Sequence, residues 1–293
     1  MNQTKEKAEI LYLNMIKKYV LGELQIGESN TETISFNQVK EIIKNVELKY
    51  RPQLVGQKKN LRDVLALSDE TIMQSLNKMA QESSNLTMCK PELLDHTEFL
   101  VRKIINENIP GDLLEAGTCR GGMCMMMKAT LEALGDKSKT IYLSDSFMGL
   151  PDADPEKHLA DAIWNDILKC IGSLACSLDF VRNHFAKAGL LDERIKFVPG
   201  WFDETLPSLA INSIALLRID ADWYHSTNSV LNFLYRKVSD GGFVVIDDYG
   251  LPTDCAQAVD NFRSQHGITS PIIKINEQAV YWVKEERQVK WNF

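Results

Sequence analysis

Apolar positions recur along this chain with two different periods, and the change falls near Asn108. Before it, hydrophobic residues return every three to four positions, the spacing of helices with one buried face. Ile10 to Leu21 forms one such stripe, and Phe36 to Leu48 a second, with Val39, Ile42, Ile43 and Val46 in register. Gly27 to Thr31 between them carries loop residues. Asp69 to Met79 and Glu92 to Asn106 complete four predicted helices. These describe a helical extension over residues 1–108, serving as a packing or dimerisation layer or as a lid over an active site.

Beyond Gly111 the texture becomes short apolar run, turn, helix, repeated. The runs Asp112 to Ala116, Thr140 to Asp145, Arg194 to Val198, Ile214 to Asp220 and Phe243 to Ile246 are the predicted strands. Helices are expected over Met123 to Leu134 and Ser226 to Val238, with Asp240-Gly241-Gly242 as a connector. Continuous apolar strands alternating with helices predict a parallel sheet covered on both faces. The last two runs, Pro271 to Ile275 and Ala279 to Val283, are separated by three residues, and so short a link permits only an antiparallel hairpin. A parallel nucleotide-binding sheet closed this way is similar to class I methyltransferases, whereas a dehydrogenase would continue with another βαβ unit. The expected fold is therefore α/β, with a Rossmann-like, mostly parallel sheet over residues 109–293.

Composition narrows the function. A formal net charge of −7 leaves no basic stripe to neutralise phosphates, which argues against nucleic acid as a partner. The six cysteines lack zinc-ribbon spacing and are expected to be reduced thiols. The first residues lack a signal-peptide pattern, and no apolar run approaches the ~20 residues that span a bilayer. A soluble cytoplasmic protein without a membrane partner is the expectation.

In a doubly wound sheet, ligands bind beyond the carboxyl ends of the strands, near the reversal of strand order. Glu115-Ala116-Gly117-Thr118-Cys119-Arg120-Gly121-Gly122 falls there. Its glycines allow a tight turn close to a ligand, and Glu115 offers an acceptor for an amino group or a ribose hydroxyl. The loop lacks the G-x-G-x-x-G pattern, which counts against a pyrophosphate. Asp145 ends the next strand, placed to accept ribose hydroxyls. Pro199-Gly200-Trp201-Phe202 follows a later strand, where an aromatic ring either borders an adenine or simply packs.

Asp220, Asp222, Asp247 and Asp248 carry the sharpest chemical hypothesis. Two strands deliver carboxylates to one sheet edge, and unpaired they would repel strongly in a cleft of reduced dielectric. A hard divalent cation relieves that repulsion, and oxygen ligands suit magnesium or manganese. Asp247-Asp248 alone could be a cap or turn; its coincidence with Asp220 is what points to a metal. Such an ion acidifies a bound hydroxyl, and a carboxylate takes the proton. Asp222 is the candidate base, with Asp220 and His225 as alternatives.

Several motifs in order resemble one family. These are the runs Pro110 to Gly122, Ser144 to Pro151, Asn183 to Asp192, Pro199 to Phe202, Leu217 to Asp222, Asp247 to Gly250, and Tyr281-Trp282. They are similar to the macrocin-type O-methyltransferases, sugar-methylating enzymes of the tylosin, mycinamicin and novobiocin pathways. The resemblance implies a magnesium-requiring enzyme dependent on S-adenosylmethionine (SAM), usually a homodimer or higher oligomer, acting on a hydroxyl of a glycosylated small molecule. It implies metal ligation by Asp220, Asp247 and Asp248, Asp222 as base, and cofactor contacts at Glu115, Gly117, Asp145 and Ser146. Thr118, Arg120, Gly121, Gly122, Phe147, Trp201 and Asp220 are further cofactor-binding candidates. One departure precedes the first strand. Thr87-Met88-Cys89-Lys90-Pro91-Glu92-Leu93-Leu94 lacks the family's arginine and carries a proline. Methylation of a phenolic or catechol-type hydroxyl, and a catalytically silent SAM-binding scaffold, are the competing readings.

Overall fold

The computed structural model describes residues 2–24, 35–65, 68, 70–72, 74, 76, 85–170 and 174–285. Four helices open the chain: α1 (Asn2–Val20), α2 (Phe36–Lys49), α3 (Arg51–Gly56) and α4 (Leu61–Leu65). The loop expected over Gly27 to Thr31 lies outside the described residues, as does part of the helix expected over Asp69 to Met79. Residues 70–72, 74 and 76 of that helix are helical. Helix α5 (Pro91–Asn106) then leads into β1 (Asp112–Ala116), α6 (Gly122–Leu134) and β2 (Ile141–Asp145). Next come α7 (Leu159–Cys170), α8 (Leu178–Lys187), β3 (Ile195–Pro199), α9 (Phe202–Thr205) and β4 (Ile214–Ile219). Helix α10 (Tyr224–Leu234), β5 (Val238–Ile246), α11 (Cys255–His266), β6 (Ile273–Lys274) and β7 (Val280–Val283) complete it.

The strands form one seven-stranded sheet in the order β3-β2-β1-β4-β5-β7-β6. β1 to β5 are parallel, and β7 runs antiparallel to both β5 and β6. This is the class I methyltransferase arrangement that the closing hairpin announced. Strand order reverses beside β1, so the tips of β1, β2, β4 and β5 open toward a common crevice.

Side chains alternate across the pleat, so each central strand feeds two cores. Leu113, Leu143 and Leu216 face a core shared with α1, α5 and α6; Leu114, Leu217 and Ile219 face one shared with α10 and α11. The N-terminal extension divides in the same way. Leu13, Ile16 and Val20 of α1 join the first core, and ion pairs Lys17–Asp95 (2.6 Å) and Glu9–Arg102 (2.6 Å) fasten α1 to α5. Val39, Ile43 and Val46 of α2 instead pack with Ile163 and Ile167 of α7 in a third cluster.

The expected helix Ser226 to Val238 is shorter than its pattern. It stops at Leu234, passes through a 3₁₀ turn (Tyr235–Lys237), and Val238 already belongs to β5. Asp240-Gly241-Gly242 is thus no connector but an irregularity inside the strand. The register to β4 jumps from Ile214↔Val238 to Leu216↔Phe243, and Gly241 takes a φ of +76°. Lys284 holds this bulge, its carbonyl accepting from the Gly241 N–H and its N–H donating to Gly242 O.

Candidate active site

Two cavities open at the strand tips and share Gly117, Asp145, Gly149, Leu150 and Asp220. The smaller, about 280 Å³, is bordered by Ser146, Gly200, Trp201, Phe202 and His225. The larger, about 530 Å³, is bordered by Glu115, Asp222, Asp247 and Asp248 on one side and by Leu86 to Lys90, Trp164, Leu168, Trp223 and Leu251 elsewhere. Thr71 and Leu86 to Lys90 therefore wall the larger cavity while α1 and α2 pack into the cores.

The β1 tip is built from close backbone contacts. Gly117 has φ +84°, and a Cβ there would stand 1.7 Å from the Asp220 carbonyl oxygen, so only glycine lets β1 and β4 meet this tightly. Gly122 donates its N–H to Leu86 O (2.9 Å), and a Cβ would lie 2.4 Å from that oxygen. Gly121, in the left-handed region at φ +82°, starts α6. Arg120 reaches back to the Asn85 carbonyl (3.1 Å) rather than into a cavity.

Asp145 organises this end. Its Oδ2 accepts the N–H groups of Thr118 (2.7 Å) and Cys119 (2.9 Å), and its Oδ1 that of Phe147 (2.7 Å). Burial raises its pKa while the three amides oppose the rise. A carboxylate has about four lone-pair sites, so capacity for a ligand hydroxyl remains. Ser146 is engaged locally: its hydroxyl donates to Gly149 O (2.7 Å) and accepts from Met148 N (3.0 Å). Phe147, at φ +56°, turns its ring into the core. Thr118 is buried, and its hydroxyl has no hydrogen-bond partner among the described residues. Trp201 precedes α9 at the rim of the smaller cavity, and His225 is drawn to Asp203 (2.6 Å) on its exposed side.

The acid-rich end is organised by a residue to which the sequence reading gave no role. Arg218, 1% exposed, stands between β1 and β5 and bonds three carboxylates. Its Nη1 meets Glu115 and Asp220 (2.8 Å), and its Nη2 meets Asp247 (2.6 Å) and Cys89 Sγ (3.1 Å). A charged residue inside the otherwise apolar run Ile214-Ala215-Leu216-Leu217-Arg218-Ile219 was the signal available, because a buried cation requires partners. Glu115 is 1% exposed and turned toward Arg218 and the Cys124 thiol (2.8 Å).

The carboxylates separate into two groups. Asp220 and Asp247 converge with Cys89, their ligand atoms within 4.8 Å of one another. Asp248 stands outside that group: its Oδ2 accepts the backbone N–H of Asp222 (2.9 Å), which itself adopts φ +57°. Burial is the largest influence on Glu115, Asp222, Asp247 and Asp248. It pushes Glu115 and Asp247 up to about 7 against the pull of Arg218, and Asp222 and Asp248 well above the usual carboxylate range. Mutual repulsion among the acids adds to each rise. Of these five carboxylates only three bond the guanidinium, an arrangement that a further positive charge would stabilise. All six cysteines are free thiols, and among the described residues no helix is long and apolar enough to cross a membrane.

Comparison with known proteins agrees with this architecture. Residues 9–284 match the family model described as macrocin-O-methyltransferase (TylF). The 8-demethyl-8-(2,3-dimethoxy-alpha-L-rhamnosyl)-tetracenomycin-C 4'-O-methyltransferase of Streptomyces olivaceus is 38% identical over 196 residues, 67% of this chain and 74% of the relative. Demethyldecarbamoylnovobiocin O-methyltransferase of Streptomyces niveus is 39% identical over 196 residues, with the same coverage. The solved structure of the O-methyltransferase NovP superposes with a TM-score of 0.72 at 31% identity, covering 95% of this chain and 100% of that one. With the sheet order, the glycine-built β1 tip and these matches in agreement, the chain belongs to the macrocin O-methyltransferase (TylF) family and is a SAM-dependent O-methyltransferase.

Proposed function

We propose that this enzyme methylates a hydroxyl group on the sugar of a glycosylated natural product, with a divalent cation assisting. The observation that carries the reading is the excess of buried carboxylates over guanidinium in the larger cavity, directly beside the smaller one. The relatives' names support the acceptor class, since one acts on a rhamnosyl-tetracenomycin and another on demethyldecarbamoylnovobiocin.

On this reading SAM lies along the Glu115-to-Gly122 loop and the smaller cavity, and supplies a methyl group made electrophilic by its sulfonium. Asp145 uses its remaining lone pairs on the ribose, Trp201 borders the adenine, and Gly117 keeps the β1 tip open to close approach. The donors suit a hard divalent ion such as magnesium or manganese: Asp220 and Asp247 converge carboxylate oxygens from two neighbouring strand tips, and Asp248 would join them by turning from the Asp222 amide. Such an ion would neutralise the cluster and acidify the acceptor hydroxyl. Asp222, buried and pushed toward higher pKa, is the group that takes the acceptor's proton. Arg218 holds Asp220 and Asp247 in place from below.

Calorimetric titration with SAM, with and without magnesium, combined with turnover on deoxysugar glycosides and on catechols, tests this. Magnesium-stimulated methylation of a glycoside is expected. Turnover confined to catechols would move the acceptor to the phenolic class. Binding without turnover on either would leave a scaffold role.

A further inference from the structure

Helix α7 belongs to the crossover between β2 and β3, yet its first turn touches both acid-bearing loops. Asp161 Oδ2 accepts the N–H of Tyr224 (2.8 Å), which opens α10 two residues after Asp222. Its Oδ1 accepts the N–H of Asp254 (2.7 Å), the residue preceding α11 in the loop that begins with Asp247-Asp248. Asp161 is 1% exposed. Two further contacts follow the same line. The His158 ring stacks on Tyr224 at 4.1 Å with its Nδ1 3.1 Å from Asp254 Oδ2, and Trp164 Nε1 donates to Pro252 O (3.1 Å). His158, Asp161 and Asp254 have ligand atoms within 4.8 Å of one another, which is spacing a metal could use. Both Asp161 oxygens already accept backbone amides, however, so the group acts as a latch between loops.

We propose that Asp161 is a positioning residue for methyl transfer: one buried carboxylate ties the loop carrying Asp222 to the loop carrying Asp247 and Asp248. The proposal rests on the reading above that these aspartates act on the acceptor. Asp222 needs such support. A non-glycine residue at φ +57° is held there by its surroundings, and its flanks are the Asp222 N–H bond to Asp248 and the Tyr224 N–H bond to Asp161. Two amides donating to two different oxygens require a carboxylate. An asparagine offers one acceptor oxygen and turns an NH₂ toward the other N–H, and alanine offers none. The latch is anchored from behind, because Tyr50 Oη on the α2 side donates its one proton to Asp166 Oδ2 (2.8 Å), with Ala162 O of α7 also in reach (3.2 Å).

The test compares the full-length enzyme with Asp161→Asn and Asp161→Ala. Hydrogen exchange should accelerate at the amides of Tyr224 and Asp254 and stay unchanged over residues 115–122. SAM affinity by calorimetry should stay within twofold. Turnover should fall on the order of 100-fold in Asp161→Ala, the effect of misplacing a reacting group by about 1 Å. The fall should be smaller in Asp161→Asn, which keeps one acceptor and the volume and so serves if the alanine variant does not fold. Unchanged exchange at those two amides overturns the proposal. So does turnover within twofold of the parent, or a parallel loss of melting temperature, SAM affinity and turnover, which would mark an ordinary fold residue. The exchange measurement needs no acceptor, so it stands even if the sugar reading fails.

Discussion

Asp145 and Asp222 end their approaches to the same crevice from strands on either side of β1, yet they are treated oppositely. Asp145 receives three backbone N–H groups, one or two on each oxygen, and this wiring fixes the loops after β1 and β2 together. Asp248 accepts the backbone N–H of Asp222, and Glu115, Asp220 and Asp247 lean on Arg218. One half of the crevice is completed by the chain itself and is preorganised for a ligand. The other half is left short of positive charge, which suits a place where a cation and a reacting hydroxyl are to arrive. On the proposed function, the difference separates binding from chemistry along one sheet edge.

The contrast breaks most visibly at Asp222. Asp222→Asn removes the proposed proton acceptor but leaves the Gly117 and Asp145 side intact, so turnover should fall ~10²- to 10⁴-fold, the range for losing a general base. SAM binding should remain near the parent value. Single-turnover rates with calorimetry read both, and activity within tenfold of the parent would return the base role to Asp220 or His225. Arg218→Met attacks the shared cation instead. Removing one partner of a buried ion pair costs about 3–5 kcal/mol, and here three carboxylates lose their guanidinium at once. Denaturant unfolding should show that loss, and added magnesium should restore part of it. Gly117→Ala sharpens the other side. The left-handed backbone alone costs about 1–2 kcal/mol for a residue with a Cβ. The clash of the added Cβ, 1.7 Å from Asp220 O, must also be relieved by moving the β1 and β4 tips apart. Weakened SAM affinity with a smaller change in stability is the expected signature.

How much of this the sequence announced follows from range. Strands β1, β2 and β4 were legible because each is a short apolar run ended by a turn or a carboxylate, and the hairpin because three linking residues leave one geometry. The convergence of Asp220, Asp222, Asp247 and Asp248 on one cavity followed from adjacent strands sharing an edge. Helices α7, α8 and α11 went unread. Their apolar faces are interrupted by residues such as Asp161, Asn165 and His266 that are buried by tertiary contacts, which local periodicity does not register. The division of the acids, with Asp220 and Asp247 on Arg218 and Asp248 on the Asp222 amide, was equally hidden. It depends on where one guanidinium reaches across three strands.

The smallest effect expected is a dependence of stability on pH, and its response to magnesium separates the two halves. Glu115 and Asp247 are pushed up to about 7 and Asp161 to about 6, with Asp222 and Asp248 also raised. Between pH 4 and 7 the folded chain therefore holds more protons at these sites than the unfolded chain, and their contribution to stability falls as pH rises. His96, lowered to about 4, and His184, also lowered, act in the opposite direction, as do the lowered acids Glu98, Glu132, Asp152, Asp154 and Asp192 at the acid end of the window, so the comparison is made at pH 6 and above. With chelator present, the melting temperature should be higher at pH 6 than at pH 8. A divalent ion inverts this, because it binds the ionised carboxylates and competes with their protons. Magnesium should raise the melting temperature more at pH 8 than at pH 6, by a few degrees, since ~1 kcal/mol corresponds to about 2–4 °C in a chain approaching this size. Asp145, also raised by burial, shifts stability in the same direction, but it lies outside the proposed metal ligands and should not respond to magnesium. A melting temperature that climbs with pH in chelator, or ignores magnesium at pH 8, would mean that Arg218 already balances the cluster and that the two halves of the crevice are alike.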